Sequence, residues 1–117
     1  MEPHVSRPGE GEVFARGNRT ITIRVDRPEL SVFEIEFDGT FVVDPHTHDD
    51  QTDSFYVLEG EVEFTVGDRT VRVGPGAVLV APPGARHGFR STGGRARVLN
   101  LHAPDAGFAE SIRGFRP

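Results

Sequence analysis

An all-β sandwich or barrel is the fold this sequence predicts, on three observations. Apolar and polar residues alternate with period two from Thr20 onward. Short apolar runs then follow one another with a glycine or proline turn in most gaps, and no helical periodicity appears before the last dozen residues. Alternation means strand because successive side chains leave opposite faces of an extended chain, so every second residue reaches the core.

Taken in order, residues 1–12 carry Pro3, Pro8, Gly9 and Gly11 and almost nothing apolar. They read as a flexible N-terminal arm or an edge segment ahead of one domain spanning 13–117. His4 lies in this arm and is read as solvated. Ile21, Ile23 and Val25 then alternate with Thr20, Thr22 and Arg24, and after Arg27-Pro28 the residues Phe33, Ile35 and Phe37 alternate with Val32, Glu34 and Glu36. Both runs predict half-buried antiparallel strands. Asp38-Gly39 turns the chain, and residues 41–43 lead through Asp44-Pro45 into His46. Further strands are expected at 55–58, 62–66, 70–73, 77–81, 87–91 and 95–102. Gly67-Asp68 suits a two-residue hairpin, while Gly74-Pro75-Gly76 and Pro82-Pro83-Gly84 supply bends. Only the end is helical in pattern: Asp105 is placed to cap a segment with Phe108, Ile112 and Phe115 on one stripe, which should pack onto the sandwich.

A chain of 117 residues supports one hydrophobic core, so any site lies within this domain or between copies of it. The net charge of −5 comes with no run of like charges, which is no footprint for a phosphate backbone, and nucleic acid is not an expected partner. No stretch approaches the roughly 18 apolar residues of a membrane span. Residues 1–12 lack the apolar region of a secretory signal, so a cytoplasmic location is expected. The chain has no cysteine and no lysine. Thiolate nucleophiles, Cys-type zinc sites and lysine Schiff bases are excluded, and histidine, carboxylate, hydroxyl and arginine chemistry remains.

Two of the five histidines, His46 and His48, fall at i and i+2. On an extended strand both imidazoles project from one face, which is a metal-ligand arrangement. Asp53 follows across a short connection. If the two flanking strands pair, facing residues lie roughly 5 Å apart and a carboxylate joins the imidazoles. Asp50 and Gln51 are lesser candidates for the same duty.

The stretch from Gly39 through His46, His48 and Asp53 to Gly60 resembles the first motif of the cupin superfamily, and Gly76 through Pro82-Pro83-Gly84 to His87 resembles its second. The resemblance implies a jelly-roll β-barrel in which His46, His48, Asp53 and His87 bind one divalent metal. Three features depart from the family pattern. Asp53 stands where glutamate is usual, six residues rather than five separate Gly39 from His46, and Ser91 replaces a common asparagine. Three imidazoles and one carboxylate suit Fe, Mn, Ni, Cu or Zn and leave open positions on an octahedral ion.

Phe55 and Val57 should share the inward face with Asp53, with Phe37, Phe41 and Phe89 adding to the lining. Val98, Asn100 and His102 alternate on one face of the last strand, which makes His102 the candidate proton-transfer residue. Arg86, beside His87, could bind a substrate carboxylate but reads as a solvated arginine. The function expected is a metal-dependent oxidoreductase of the dioxygenase type acting on a small organic molecule. The alternatives are a non-catalytic ligand-binding module and a cupin isomerase or decarboxylase. A metal-free epimerase would need a tyrosine acid, and the only tyrosine is Tyr56. An open sheet edge or the alternating runs at 21–25 and 33–37 are expected to pack against a second copy, giving a homodimer.

Overall fold

The period-two runs form strands close to where the sequence places them. The computed structural model describes residues 2–114. It contains β1 (Glu12–Arg16), β2 (Arg19–Asp26), β3 (Ser31–Phe37), β4 (Val42–His46), β5 (Thr52–Glu59), β6 (Val62–Val66), β7 (Arg69–Val73), β8 (Val78–Ala81), β9 (His87–Ser91), β10 (Ala96–Ala103) and α1 (Phe108–Gly114). The strands make a six-stranded sheet in the order β1-β2-β3-β10-β5-β8 and a four-stranded sheet in the order β4-β9-β6-β7. Every pairing is antiparallel. The two sheets pack as a sandwich, and their hydrogen bonds do not close into a single barrel.

The inward residues of the alternating runs meet between the sheets, where Phe33, Phe37, Phe64, Val62 and Val98 are all fully buried. Burying such a side chain stabilises by roughly 1.5–3 kcal/mol. Exposed ion pairs contribute about 0–1 kcal/mol each. The core therefore outweighs the outward-facing chain Arg24–Glu34–Arg97–Glu59, although that chain ties four strands together. Ile21, Ile23, Phe33, Ile35 and Phe37 belong to this core. These are the inward residues of the two runs expected to pack against a second copy, while Val25 of the first run stays outside this core and half-buried.

Two elements differ from expectation. β1 was not legible, because of its residues only Glu12 and Phe14 turn even partly inward while Val13 is exposed, so the strand shows no apolar alternation. It exists through pairing: Phe14 lies opposite Ile21 and Arg16 opposite Arg19. Ahead of it, Arg24 Nε donates to Ser6 Oγ at 2.7 Å and Arg24 Nη2 to the Ser6 carbonyl at 3.0 Å. The helix begins at Phe108, three residues after Asp105, and Asp105 does not cap it. The Asp105 N–H donates to the Pro28 carbonyl, and its Oδ1 is buried without a partner. α1 buries Ala109 and Ile112 and sets Phe108 edge-on against Phe33 at 4.7 Å, as a stripe packed on the sandwich should. Arg113 pins it to Glu12 and Asp26. Phe115 lies outside the described residues.

At the β6–β7 hairpin Gly67 takes φ +59° while no non-glycine among the described residues has positive φ, which is the type II′ pattern.

Candidate metal centre

His46 ends β4, His48 lies two residues past it, Asp53 is the second residue of β5 and His87 opens β9. His46 and His87 are cross-strand partners within the four-stranded sheet. Asp53 arrives from the other sheet, where it pairs with His102 of β10 and Ala81 of β8. β4 and β5 do not pair. The carboxylate therefore meets the imidazoles across the sandwich rather than along a shared ladder, and the tight connection at 49–52 crosses from one sheet to the other.

One donor atom from each of His46, His48, Asp53 and His87 lies within 4.8 Å of the others. His46 Nε2 is 3.0 Å from His48 Nε2, and His87 Nε2 is 2.9 Å from Asp53 Oδ2. His48 Nε2 lies 3.9 Å from the same oxygen. Two donors that each sit about 2.1 Å from one ion at right angles are about 3 Å apart, so the spacing suits a shared divalent cation. The tautomers agree. His46 Nδ1–H donates to the Asp44 carbonyl at 2.8 Å and His87 Nδ1–H to the Ala85 carbonyl at 2.9 Å. Each ring thus keeps the Nε2 lone pair for the cluster. A lone pair 2.9 Å from a carboxylate oxygen is repulsive unless a proton or a cation bridges the two. In the ion-free protein the Asp53 hydrogen bond raises the His87 pKa, against the opposing effect of burial. His48 moves the other way, lowered first by burial and then by the neighbouring His46.

Behind Asp53 stands a polar relay. Asn100 Nδ2 donates to Asp53 Oδ1 at 2.5 Å and to the Ser54 carbonyl at 3.1 Å. Both partners are acceptors, which fixes the orientation of the amide and turns Oδ1 toward His102. His102 Nε2–H donates to that oxygen at 3.0 Å, so the lone pair of the neutral ring is on Nδ1. Nδ1 is buried and has no hydrogen-bond partner. The ring lies 5.2 Å from Phe33 and 5.5 Å from Phe108, and burial lowers its pKa.

All four cluster residues except His87, together with Asn100 and His102, line a cavity of about 730 Å³. Phe41, Phe55 and Phe89 form part of its wall, whereas Phe37 and Val57 belong to the core alone. Gln51 shares the inward face with Asp53 and is 2% exposed, with neither amide atom hydrogen-bonded. Asp50 is exposed and outside the cluster. Arg86 is exposed and does not line the cavity. His4 sits on the surface with Nε2 3.1 Å from the Arg24 carbonyl. Ser91, at the position of the family's asparagine, donates to the Gly94 carbonyl and steadies the β9–β10 turn. The sequence reading missed the Asn100 relay, which depends on a cross-strand register, and the arginines Arg16 and Arg19 in the cavity lining, which come from the unread β1–β2 hairpin.

The family model described as a cupin domain matches residues 33–102, more than half of the chain. No curated protein matches the sequence. Among solved structures, KdgF from Halomonas sp. superposes with a TM-score of 0.83 at 23% identity, covering 92% of this chain and 99% of that one. An RmlC-like cupin from Shewanella frigidimarina gives 0.81 at 21% identity over 92% and 96%. Pac13 from Streptomyces, described as a nucleoside dehydratase, gives 0.68 at 17% identity over 88% and 83%. At these identities the likeness is one of fold. Among the described residues no helix is long and apolar enough to cross a membrane.

Proposed function

The chain belongs to the cupin family, and on that premise we propose that it is a metal-dependent enzyme acting on a small organic molecule held at the His46–His48–Asp53–His87 cluster. The observation that carries this reading is the convergence of four donor atoms, two of them with tautomers set by backbone carbonyls, beside an apolar cavity. When bound, a divalent Fe, Mn, Ni, Cu or Zn ion supplies Lewis-acid polarisation of a substrate oxygen or, for Fe, Mn and Cu, a redox centre. The protein's own part is positional. Asn100 occupies Asp53 Oδ1 and leaves Oδ2 to the cluster, while the phenylalanine walls exclude water from the substrate.

Two reaction types fit this frame. An oxidoreductase of the dioxygenase type is the one expected from the sequence. His102 supports the second, an isomerase or decarboxylase, because a neutral imidazole in the cavity lining, coupled through Asn100 to Asp53, is a proton acceptor once a substrate displaces the contacts that bury its Nδ1. Metal analysis of untagged protein, followed by turnover of catechol-like, flavonol and diketone compounds with and without oxygen, tests both. Turnover that requires oxygen assigns the dioxygenase. Anaerobic turnover that His102→Gln abolishes while metal content is kept assigns the proton-transfer enzyme. Ligand binding without turnover assigns a non-catalytic module, and a chain that takes up no metal overturns the proposal.

A further inference from the structure

Besides His46, His48 and Asp53 of the cluster, the cavity is lined by two arginines, Arg16 and Arg19. These arginines close the β1–β2 hairpin as directly opposed partners, so two guanidinium groups stand on neighbouring positions of one rim. Arg19 lies with its Cζ 5.1 Å from the centre of the Phe41 ring. A guanidinium held over a ring in this way keeps N–H groups that can meet an acceptor. Of these, Nη1 donates to Asn18 Oδ1 at 3.1 Å. No carboxylate among the described residues forms an ion pair with Arg19.

From Phe41, beside Arg19, a row of aromatic rings leads to the cluster. Phe55 is 6.5 Å from His87, Phe89 is 5.1 Å from Phe55 and Phe41 is 6.2 Å from Phe89. Phe41 and His46 are separated by five residues of a chain whose register against β9 shifts between Val43 and His46, somewhat less than the roughly 16 Å of a fully extended run. A ligand that reaches both Arg19 and the cluster is therefore elongated, apolar in its middle and anionic at the end away from the cluster.

We propose that the cavity selects an elongated, largely apolar organic acid, whose carboxylate is held by Arg19 at the β1–β2 rim while its other end lies against the His46–His48–Asp53–His87 cluster. This names the substrate class of the proposed enzyme and rests on that reading only for the end at the cluster. Arg19 is a specificity-determining residue, and it prefers the carboxylate because a charge-assisted guanidinium–carboxylate pair is stronger than a hydrogen bond to a neutral hydroxyl.

The test is isothermal titration of the full chain, treated with chelator, with 6-phenylhexanoate and 6-phenylhexan-1-ol. The acid is expected to bind about tenfold or more tighter than the alcohol, and Arg19→Gln to remove that preference by weakening the acid far more than the alcohol. Retained alcohol binding also shows that the variant is folded. Arg19→Lys should keep part of the preference. Equal binding of acid and alcohol, a preference that survives Arg19→Gln, or binding of neither compound would each overturn the proposal. With manganese added, the phenyl protons of the bound acid should broaden more than the methylene beside its carboxylate, and the reverse order would overturn the orientation. A chain that takes up no metal overturns the metal reading and leaves the chelator-treated result standing, so the two failures are distinct.

Discussion

Gln51 holds both polar atoms of its amide in the cavity wall without a partner, a few ångströms of chain from Asp53 on the same face of β5's approach. Each buried polar group left unsatisfied costs about 1–3 kcal/mol. Gln51→Met keeps the volume and removes the polar atoms, so the metal-free protein should melt about 4–8 °C higher. Thermal unfolding by circular dichroism checks this, and an unchanged or lower midpoint would mean that the amide is satisfied by ordered water. Such a residue is what a binding site leaves behind when stability is given up for an unmet hydrogen bond. Asp53 teaches the complementary lesson. Its side chain is one methylene shorter than the family's glutamate, yet Oδ2 comes within 2.9 Å of His87 Nε2, because the carboxylate approaches from the opposite sheet at the start of its strand. The residue type was visible in the sequence, whereas the direction of approach was not.

At the scale of elements, the position of His46 depends on how closely β4 lies against β9. The β4–β9 register shifts between Val43 and His46, and at this irregularity the chain carries Asp44-Pro45. Gly88 of β9 sits beneath it. A Cβ added there would stand 2.5 Å from the Val43 carbonyl oxygen and 2.8 Å from Pro45 N, and both are backbone atoms that cannot rotate away. Gly88→Ala should therefore push β4 outward and lower metal affinity about 10–100-fold without removing any ligand, comparable to the loss when the supports of metal ligands are altered. Competition titration against a chromophoric chelator measures it. Affinity within twofold of the parent would show that β4 moves without carrying His46. The need for glycine at 88 is a property of the pair of strands, and nothing in the local sequence announces it.

For the whole molecule, metal, protons and folding are linked. A His87 pKa raised above the ordinary histidine value of about 6.5 stabilises the metal-free fold fully below that value, and the contribution is lost as pH rises through the folded-state pKa. His48 and His102, both lowered, act in the opposite sense. A bound cation must displace the His87 proton, so the rise in Tm on adding zinc should be larger at pH 8 than at pH 6. Scanning calorimetry at both values decides it, and a larger rise at pH 6 would place the metal away from His87. The sequence by itself determined the sandwich class, eight of the ten strands found among the described residues, the two motifs and the four residues that converge, because alternation and turn chemistry are local and each motif spans a few tens of residues. Only the tertiary structure decided which sheet each strand joins, that Asp53 reaches the histidines across the core, that Asn100 couples His102 to it, and that Arg19 lines the same cavity as the cluster. Those facts depend on pairings between residues as far apart as Asp53 and Asn100 or Arg19 and Phe37, and no local pattern encodes the register that brings them together.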